Sequence, residues 1–324
     1  MALAPEDVTP SSLGARDALS VALTGWEARD CPICESRGRP RLLWDATVDA
    51  TRLDSFAFAS RKIPETMHLR LVRCDRCDLV YADPVPSHDS LHRAYLDAAF
   101  DSATEARLAS LTYGRVLERI LPQLPNRYGA LDIGTGDGAF LRELVRRGFT
   151  DVGGIEPSAA PIAQAAPDVR PLIHHGVFSA EARKPGSLAL VTCFQTFEHL
   201  RDPVSVCADA ARMLQPGGAL LLVAHNVRAL SARVMGERSP IFDVEHMQLF
   251  SRASVRTFLQ RAGLHDVAVW PLVNRYPTAY WMRLLPLPAG LKAPAIRMLN
   301  STPLGSLVVP LPAGNMAAVG YRSG

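Results

Sequence analysis

A chain of 324 residues, 48% of them hydrophobic, has room for a substantial buried core and a smaller lobe. Its formal charge of +3, with no Lys/Arg run interleaved with aromatics, argues against a nucleic-acid surface. The chain does not open on a basic stretch followed by an apolar run, and no apolar stretch approaches the roughly 18 residues of a membrane helix. A cytoplasmic protein without a membrane partner is therefore expected.

Residues 1–30 mix polar and apolar side chains, with a helix expected over Asp17 to Trp26. Two C-x-x-C knuckles follow, Cys31-Pro32-Ile33-Cys34 and Cys74-Asp75-Arg76-Cys77. Four thiolates suffice to close a tetrahedral metal site with no open position for catalysis. Cys31, Cys34, Cys74 and Cys77 are thus candidate ligands of a structural Zn2+. The long stretch between Cys34 and Cys74 exceeds compact ribbon spacing and predicts a hairpin or small subdomain there. Reversible dithiols and plain disulfides are the alternatives for the two pairs. Two of the six cysteines, Cys193 and Cys207, fall on a core strand and a helix and read as small buried apolar residues. The lobe is bounded at 31–86. Residues 87–128 then form a helical connector, apolar at Leu91, Tyr95, Val116, Leu117 and Ile120.

Ala130, Leu131 and Ile133 supply a buried strand that turns on Gly134-Thr135-Gly136-Asp137-Gly138 into a helix. Phe140, Leu141, Leu144 and Val145 share one stripe of that helix, and Gly148 stops it. Glycines in such a turn permit positive φ and let a ligand lie against bare backbone. Glu156 ends a second apolar segment, Val152-Gly153-Gly154-Ile155, where a nucleoside ribose would present its hydroxyls. By itself the turn fits a dinucleotide site, an S-adenosylmethionine (SAM) site, or a tight bend with no ligand. Its G-x-G-x-G spacing departs from the dinucleotide G-x-G-x-x-G.

Farther along, His174 and His175 read as edge or loop residues. Leu188 to Phe194 is an apolar run of strand length, followed by Gln195-Thr196-Phe197-Glu198-His199-Leu200-Arg201-Asp202-Pro203. Asp202 suits an N-cap and Pro203 a first helical position, ahead of a face formed by Val206, Ala210, Met213 and Leu214. Gln215-Pro216-Gly217-Gly218 turns the chain into the strand Ala219 to Ala224. Ser251 caps a helix carrying Val255, Phe258 and Leu259 and ending at Gly263, and Val267-Ala268-Val269 begins the next strand. Met316 to Tyr321 reads as the last strand.

As a set, these segments resemble the class I SAM-dependent methyltransferases, from Gly129 to about Gly263. The matching pieces are the glycine turn, the Glu-His-Leu-x-Asp-Pro stretch and the Leu-x-Pro-Gly-Gly turn. One departure is Ala189, where the family usually has an Asp. Leu71-Val72-Arg73-Cys74, continuing into Leu79-Val80-Tyr81-Ala82-Asp83-Pro84-Val85-Pro86, resembles bacterial members with an N-terminal zinc-binding lobe. Nucleotide-sugar C-methyltransferases of natural-product pathways are among them.

The resemblance implies an α/β fold, a Rossmann-like seven-stranded sheet over 129–324 with its last strand antiparallel. It implies a capping insertion at 274–315, where Trp281, Leu284, Leu285 and Leu287 either line a pocket or pack on the core, with packing favoured. By motif, Asp132, Gly134, Thr135, Gly136 and Asp137 would surround the methionine moiety of SAM. Glu156 would hold the ribose, with Pro157 beside it. Gln195 would meet the cofactor beyond the fourth strand, and Phe178 would stack on adenine. Methyl transfer needs little beyond positioning and a base for the acceptor. His246, in Phe242 to Phe250, matches the family's Glu-His-x-x-Phe-Phe-Ser loop over the substrate and is the favoured base. His225 at the fifth-strand tip is the second candidate, and His199 follows Glu198 in the fourth-strand loop. The implied activity is methyl transfer to a small molecule, biosynthetic or nucleotide-linked. Its alternatives are other SAM chemistry and nucleic-acid methylation with the zinc lobe as reader.

Overall fold

Uninterrupted apolar runs dictate a layered architecture, because a strand buried on both faces has no polar side to alternate with. The structure, a computed structural model, describes residues 24–49, 67–96, 103–285 and 287–324. Most of the expected helix at Asp17 to Trp26 lies outside these residues. Its last three, Thr24, Gly25 and Trp26, are not helical.

The N-terminal lobe is a small antiparallel sheet. β1 (Arg41–Trp44) pairs with β2 (Leu71–Arg73), and β2 pairs with β3 (Val80–Ala82) across the second knuckle. In that turn the Cys74 N–H donates to Leu79 O at 2.8 Å, and the Asp78 N–H donates to Cys74 O at 3.0 Å. The helical connector resolves into α1 (His88–Leu96) and α2 (Ala103–Glu118).

The main sheet then assembles from β4 (Tyr128–Ile133), β5 (Thr150–Glu156), β6 (Ile173–His175), β7 (Leu188–Phe194) and β8 (Leu214–His225). α3 (Ala139–Arg146), α4 (Ala159–Gln164) and α5 (Pro203–Met213) fall between these strands. α5 begins as its sequence predicts, with the Asp202 carboxylate accepting the Ser205 N–H at 3.1 Å. α6 (Leu230–Met235), β9 (Gln248–Leu249), α7 (Arg252–Arg261) and β10 (His265–Pro271) come next, and Ser251 and Ser254 close a capping box on α7. The 274–315 segment contains β11 (Asn274–Pro277), α8 (Thr278–Leu284), α9 (Ala289–Asn300) and β12 (Val308–Leu311), and β13 (Asn315–Tyr321) follows.

In space the seven strands run β6-β5-β4-β7-β8-β13-β10. β4 to β8 are parallel, with Leu131 level with Gly153 on one side and Val191 on the other. β13 is antiparallel to both β8 and β10. This is the class I methyltransferase strand order. Its two faces are packed separately. Ala130, Leu190 and Leu221 meet Tyr113 and Leu117 of α2 and Phe140 and Leu144 of α3. Leu131, Val191 and Leu222 meet Cys207 of α5 and Phe258 of α7, and the four knuckle cysteines join this same cluster. Cys193 and Cys207 are fully buried there. His174 and His175 lie exposed on the edge strand β6. Ala189 is buried in the sheet, where a carboxylate would need a partner.

β9 is the fourth strand of the N-terminal sheet, which runs β1-β2-β3-β9. Residues 248–249, deep in the second half of the chain, thus complete the lobe that the knuckles begin. Leu249 stands opposite Val80, and Gln248 opposite Tyr81.

Candidate active site

The first parallel strand, β4, delivers the glycine turn to the carboxyl edge of the sheet. A cavity of about 390 Å³ opens there, beneath the 274–315 segment. Ligands of open α/β sheets bind at this edge, where strand order reverses. Gly134, Gly136 and Gly138 all hold positive φ. They do so for different reasons. A Cβ on Gly134 would come within 2.4 Å of Thr196 Oγ1, so this glycine lets the fourth-strand loop close over the turn. A Cβ on Gly136 would meet nothing within 4 Å, which leaves bare backbone facing the cavity.

Glu156 ties the turn to the second strand. Its Oε2 accepts the Gly136 N–H at 2.8 Å and its Oε1 the Ser158 N–H at 2.9 Å. Burial raises its carboxyl above the usual range, against the pull of those two bonds. Each carboxylate oxygen retains a lone pair for a diol. Asp132 accepts the Thr192 hydroxyl at 2.6 Å, and Asp137 accepts the Ala139 N–H at 3.1 Å. Thr135 and Pro157 line the cavity with them. The Oγ1 of Thr135 is buried without a hydrogen-bond partner. An open glycine backbone, an oriented acid and an apolar floor fit a SAM-like nucleoside.

Phe178 does not line the cavity. It packs against the core cluster below the sheet instead of on the cavity, whose wall at that position is Val177. Gln195 does reach the cavity, on a non-glycine positive φ of 52°. Its Oε1 accepts the Tyr113 hydroxyl at 2.8 Å, and its amide meets His225 Nε2 at 3.2 Å.

Three histidines gather on the far wall. The His246 ring centroid lies 5.0 Å from that of His199 and 4.9 Å from that of His225. Each uses Nδ1 toward an oxygen. His246 meets Ile241 O at 2.8 Å, His199 meets Glu245 O at 3.2 Å, and His225 meets Glu198 Oε1 at 3.0 Å. Those contacts assign the proton to Nδ1 and the lone pair to Nε2 in the neutral rings. At His225 the Nε2 faces the Gln195 amide, whereas at His246 it stands 3.9 Å from Glu245 Oε1. Burial lowers the His199 pKa below 6.5, so this ring is neutral at neutral pH.

Further residues complete this wall. Glu198, fully buried, takes both the backbone N–H and the ring of His225. Tyr95 of α1 donates to Glu245 O at 3.2 Å. Arg29 is the most remote. Its guanidinium donates to Ala82 O at 2.9 Å, Arg201 O at 3.2 Å and Met247 O at 2.6 Å. Burial draws its pKa down to about 10, still fully charged at neutral pH. Glu198 could be read from its motif, but nothing around Arg29 marks it.

The cap divides the four residues named for it. Trp281 and Leu284 line the cavity, together with Tyr276 and Tyr280. Leu285 and Leu287 do neither of the expected things and stand exposed.

The knuckle cysteines are all buried and none is disulfide-bonded. Their sulfurs lie within 4.8 Å of one another, with Cys31–Cys77 and Cys34–Cys74 at 3.5 Å. A tetrahedron with Zn–S of about 2.3 Å has edges near 3.8 Å. The hydrogen bond from Cys77 lowers the Cys31 thiol, while burial raises that of Cys34, so a divalent ion is what would let all four bind as thiolates. The donor set fits one structural zinc.

Strand order and site together define a class I methyltransferase fold. A family model described as a methyltransferase domain matches residues 104–269, about half of the chain, and the chain belongs to that family. It is similar to the ubiquinone biosynthesis O-methyltransferase of Ralstonia nicotianae, 32% identical over 166 residues, which cover 45% of this chain and 68% of that protein. The corresponding Cupriavidus pinatubonensis enzyme is 28% identical over 41% of this chain and 59% of its own length. The chain therefore spans about three fifths to two thirds of these curated relatives. Among solved structures, a SAM-dependent methyltransferase from Thermotoga maritima aligns at TM-score 0.45 and 18% identity, covering 68% of this chain and 93% of that one. The SAM complex of Haemonchus contortus phosphoethanolamine N-methyltransferase 2 aligns at 0.44 and 15%, covering 76% and 63%.

Proposed function

We propose that the protein methylates a hydroxyl on a ring-bearing small molecule of a biosynthetic pathway, with SAM as donor. The observation that carries this reading is His246. Its ring is fixed through Nδ1 to Ile241 O, so Nε2 is the basic nitrogen on a cavity wall shared with the glycine turn. SAM, when bound, supplies a methyl on a positively charged sulfur that leaves as a neutral thioether, so no protein acid is needed.

The protein's part is then to hold and deprotonate. Glu156 and the Gly136 backbone hold the nucleoside and methionine ends of the donor. Tyr276, Tyr280 and Trp281 enclose an aromatic acceptor, and exclusion of water sharpens the charges at the site. His246 takes the hydroxyl proton on Nε2 as the new C–O bond forms. Glu245 beside it stabilises the resulting imidazolium. The O-methyltransferase names of the relatives support oxygen as the acceptor atom. The volume of about 390 Å³ suits a small molecule. In this reading residues 31–86 form a lobe that one zinc holds together, because so small a unit buries too little apolar surface to stand alone.

Incubating the protein with methyl-labelled SAM and a host extract tests the reading. Label should enter a filterable small molecule as a methyl ether. Label in protein or nucleic acid would overturn it.

A further inference from the structure

The outer surface of the 274–315 cap carries an unusual combination. From Val267 to Gly324 the sequence has no Asp or Glu, while Arg275, Arg283, Lys292 and Arg297 all lie in the cap. More than half of the large apolar side chains that stand exposed among the described residues also fall between Val273 and Leu311. α9 shows the pattern most plainly. Leu291, Pro294 and Met298 lie at i, i+3 and i+7 on its exposed side, with Leu291 65% and Met298 67% exposed and Arg297 beside them. α8, α9 and the turn Pro303–Ser306 pack on one another, and Leu287, Leu304 and Leu307 stand out from the same unit.

We infer that this cap is a docking face for an anionic phospholipid bilayer. Apolar side chains projecting from a basic, acid-free surface are what an interfacial helix presents to headgroups and acyl chains. Arg283 is held by Glu105 of α2 at 3.4 Å. Arg275, Lys292 and Arg297 have no carboxylate partner among the described residues. A second copy is the poorer occupant. A two-fold contact through this face would set these cations against their own images with no acid to offset them. No helix among the described residues is long and apolar enough to cross a membrane. A face that lies on the bilayer needs no such helix. The sequence-based expectation of no membrane partner rested on spanning length alone.

The placement has a use. Tyr276, Trp281 and Leu284 on the inner side of the same unit line the cavity. A docked cap would set the mouth of the site at the interface, whichever acceptor is methylated there.

The full chain is sedimented with vesicles of phosphatidylglycerol and phosphatidylcholine, and with vesicles of phosphatidylcholine alone. Binding to the anionic vesicles should be at least about tenfold stronger and should weaken severalfold as salt shortens the screening length. Leu291→Asp with Met298→Asp should lower it about tenfold or more, and Arg297→Glu severalfold. Circular dichroism, melting temperature and SAM affinity should stay as in the parent. Wild type that stays in the supernatant overturns the inference. So does a double variant that pellets like the parent. A wild-type dimer that the double substitution dissolves would also overturn it and give the face to a second copy.

Discussion

Arg29 Nη2 donates to Met247 O at 2.6 Å, joining the residues just before the first knuckle to the loop that holds His246. The same guanidinium reaches Arg201 O in the fourth-strand loop. One buried cation thus ties three segments together, sharing Met247 O with the Ala82 N–H, which donates to it at 2.8 Å. Truncation would cost about 1–3 kcal/mol for each acceptor left without a donor, and Met247 O would keep the Ala82 N–H.

Arg29→Met should therefore lower kcat about tenfold or more by loosening the 242–250 loop. SAM affinity, set on the opposite wall by Glu156, should change less than about threefold. Calorimetry and turnover on one preparation separate the two. Equal losses in both would mean that the chain simply unfolds more easily.

His246→Ala should reduce turnover by about 10²–10⁴-fold with SAM affinity nearly intact. His225→Ala should cost less, because its Nε2 already faces the Gln195 amide. If only His225→Ala is impaired, the base lies at the tip of β8.

Glu156→Gln should weaken SAM binding about 10–100-fold, since an amide opposite two N–H donors can accept from only one side. The sign of the pH dependence follows from the raised carboxyl. The folded chain takes up this proton before the unfolded one does, so the ionised form is the one burial disfavours. SAM affinity should fall on acidification, with the loss beginning above 4.5. The Gln variant should lack that acid limb in a titration followed by calorimetry.

His199 makes a separate pH prediction. Its folded pKa lies below 6.5, so in the interval beneath 6.5 the unfolded chain binds the proton and the folded one does not. Stability should decline as pH falls through that interval. In His199→Gln, denaturant melts at successive pH values should show a shallower decline.

Cys34→Ser should reduce zinc from about one per chain to a small fraction and lower the melting temperature by several degrees. Because β9 belongs to the knuckle sheet, gradual chelation should abolish turnover before it weakens SAM binding. Elemental analysis run beside both assays checks the order.

The sequence carried the sheet well. Leu188 to Phe194 announces itself by an unbroken apolar run, and Asp202-Pro203 and Ser251 mark their helix starts by the hydrogen bonds they can make. Glu156 and Gly136 were legible because a turn and an acid at the next strand tip imply one another. An aromatic in a short irregular stretch gives no phase, so the sequence alone does not distinguish Phe178, which packs on the core, from Val177, which lines the cavity. Arg29, and the contact that the Tyr95 hydroxyl makes, give no signal in the sequence for another reason. Their partners are backbone carbonyls, which have no identity in sequence. The two-residue strand β9 is shorter than any periodicity can register.

That short strand sets a timetable for synthesis. Val80 cannot find Leu249 until about half the chain beyond it has left the ribosome. Long-range pairings of this kind form late, after their loop-closure cost has been met. Until then the lobe has an open edge at β3, and its thiols, oxidisable and metal-avid, wait beside a sheet still being made. The lobe therefore stays open at β3 until residues 248–249 have emerged, long after its own first three strands are made.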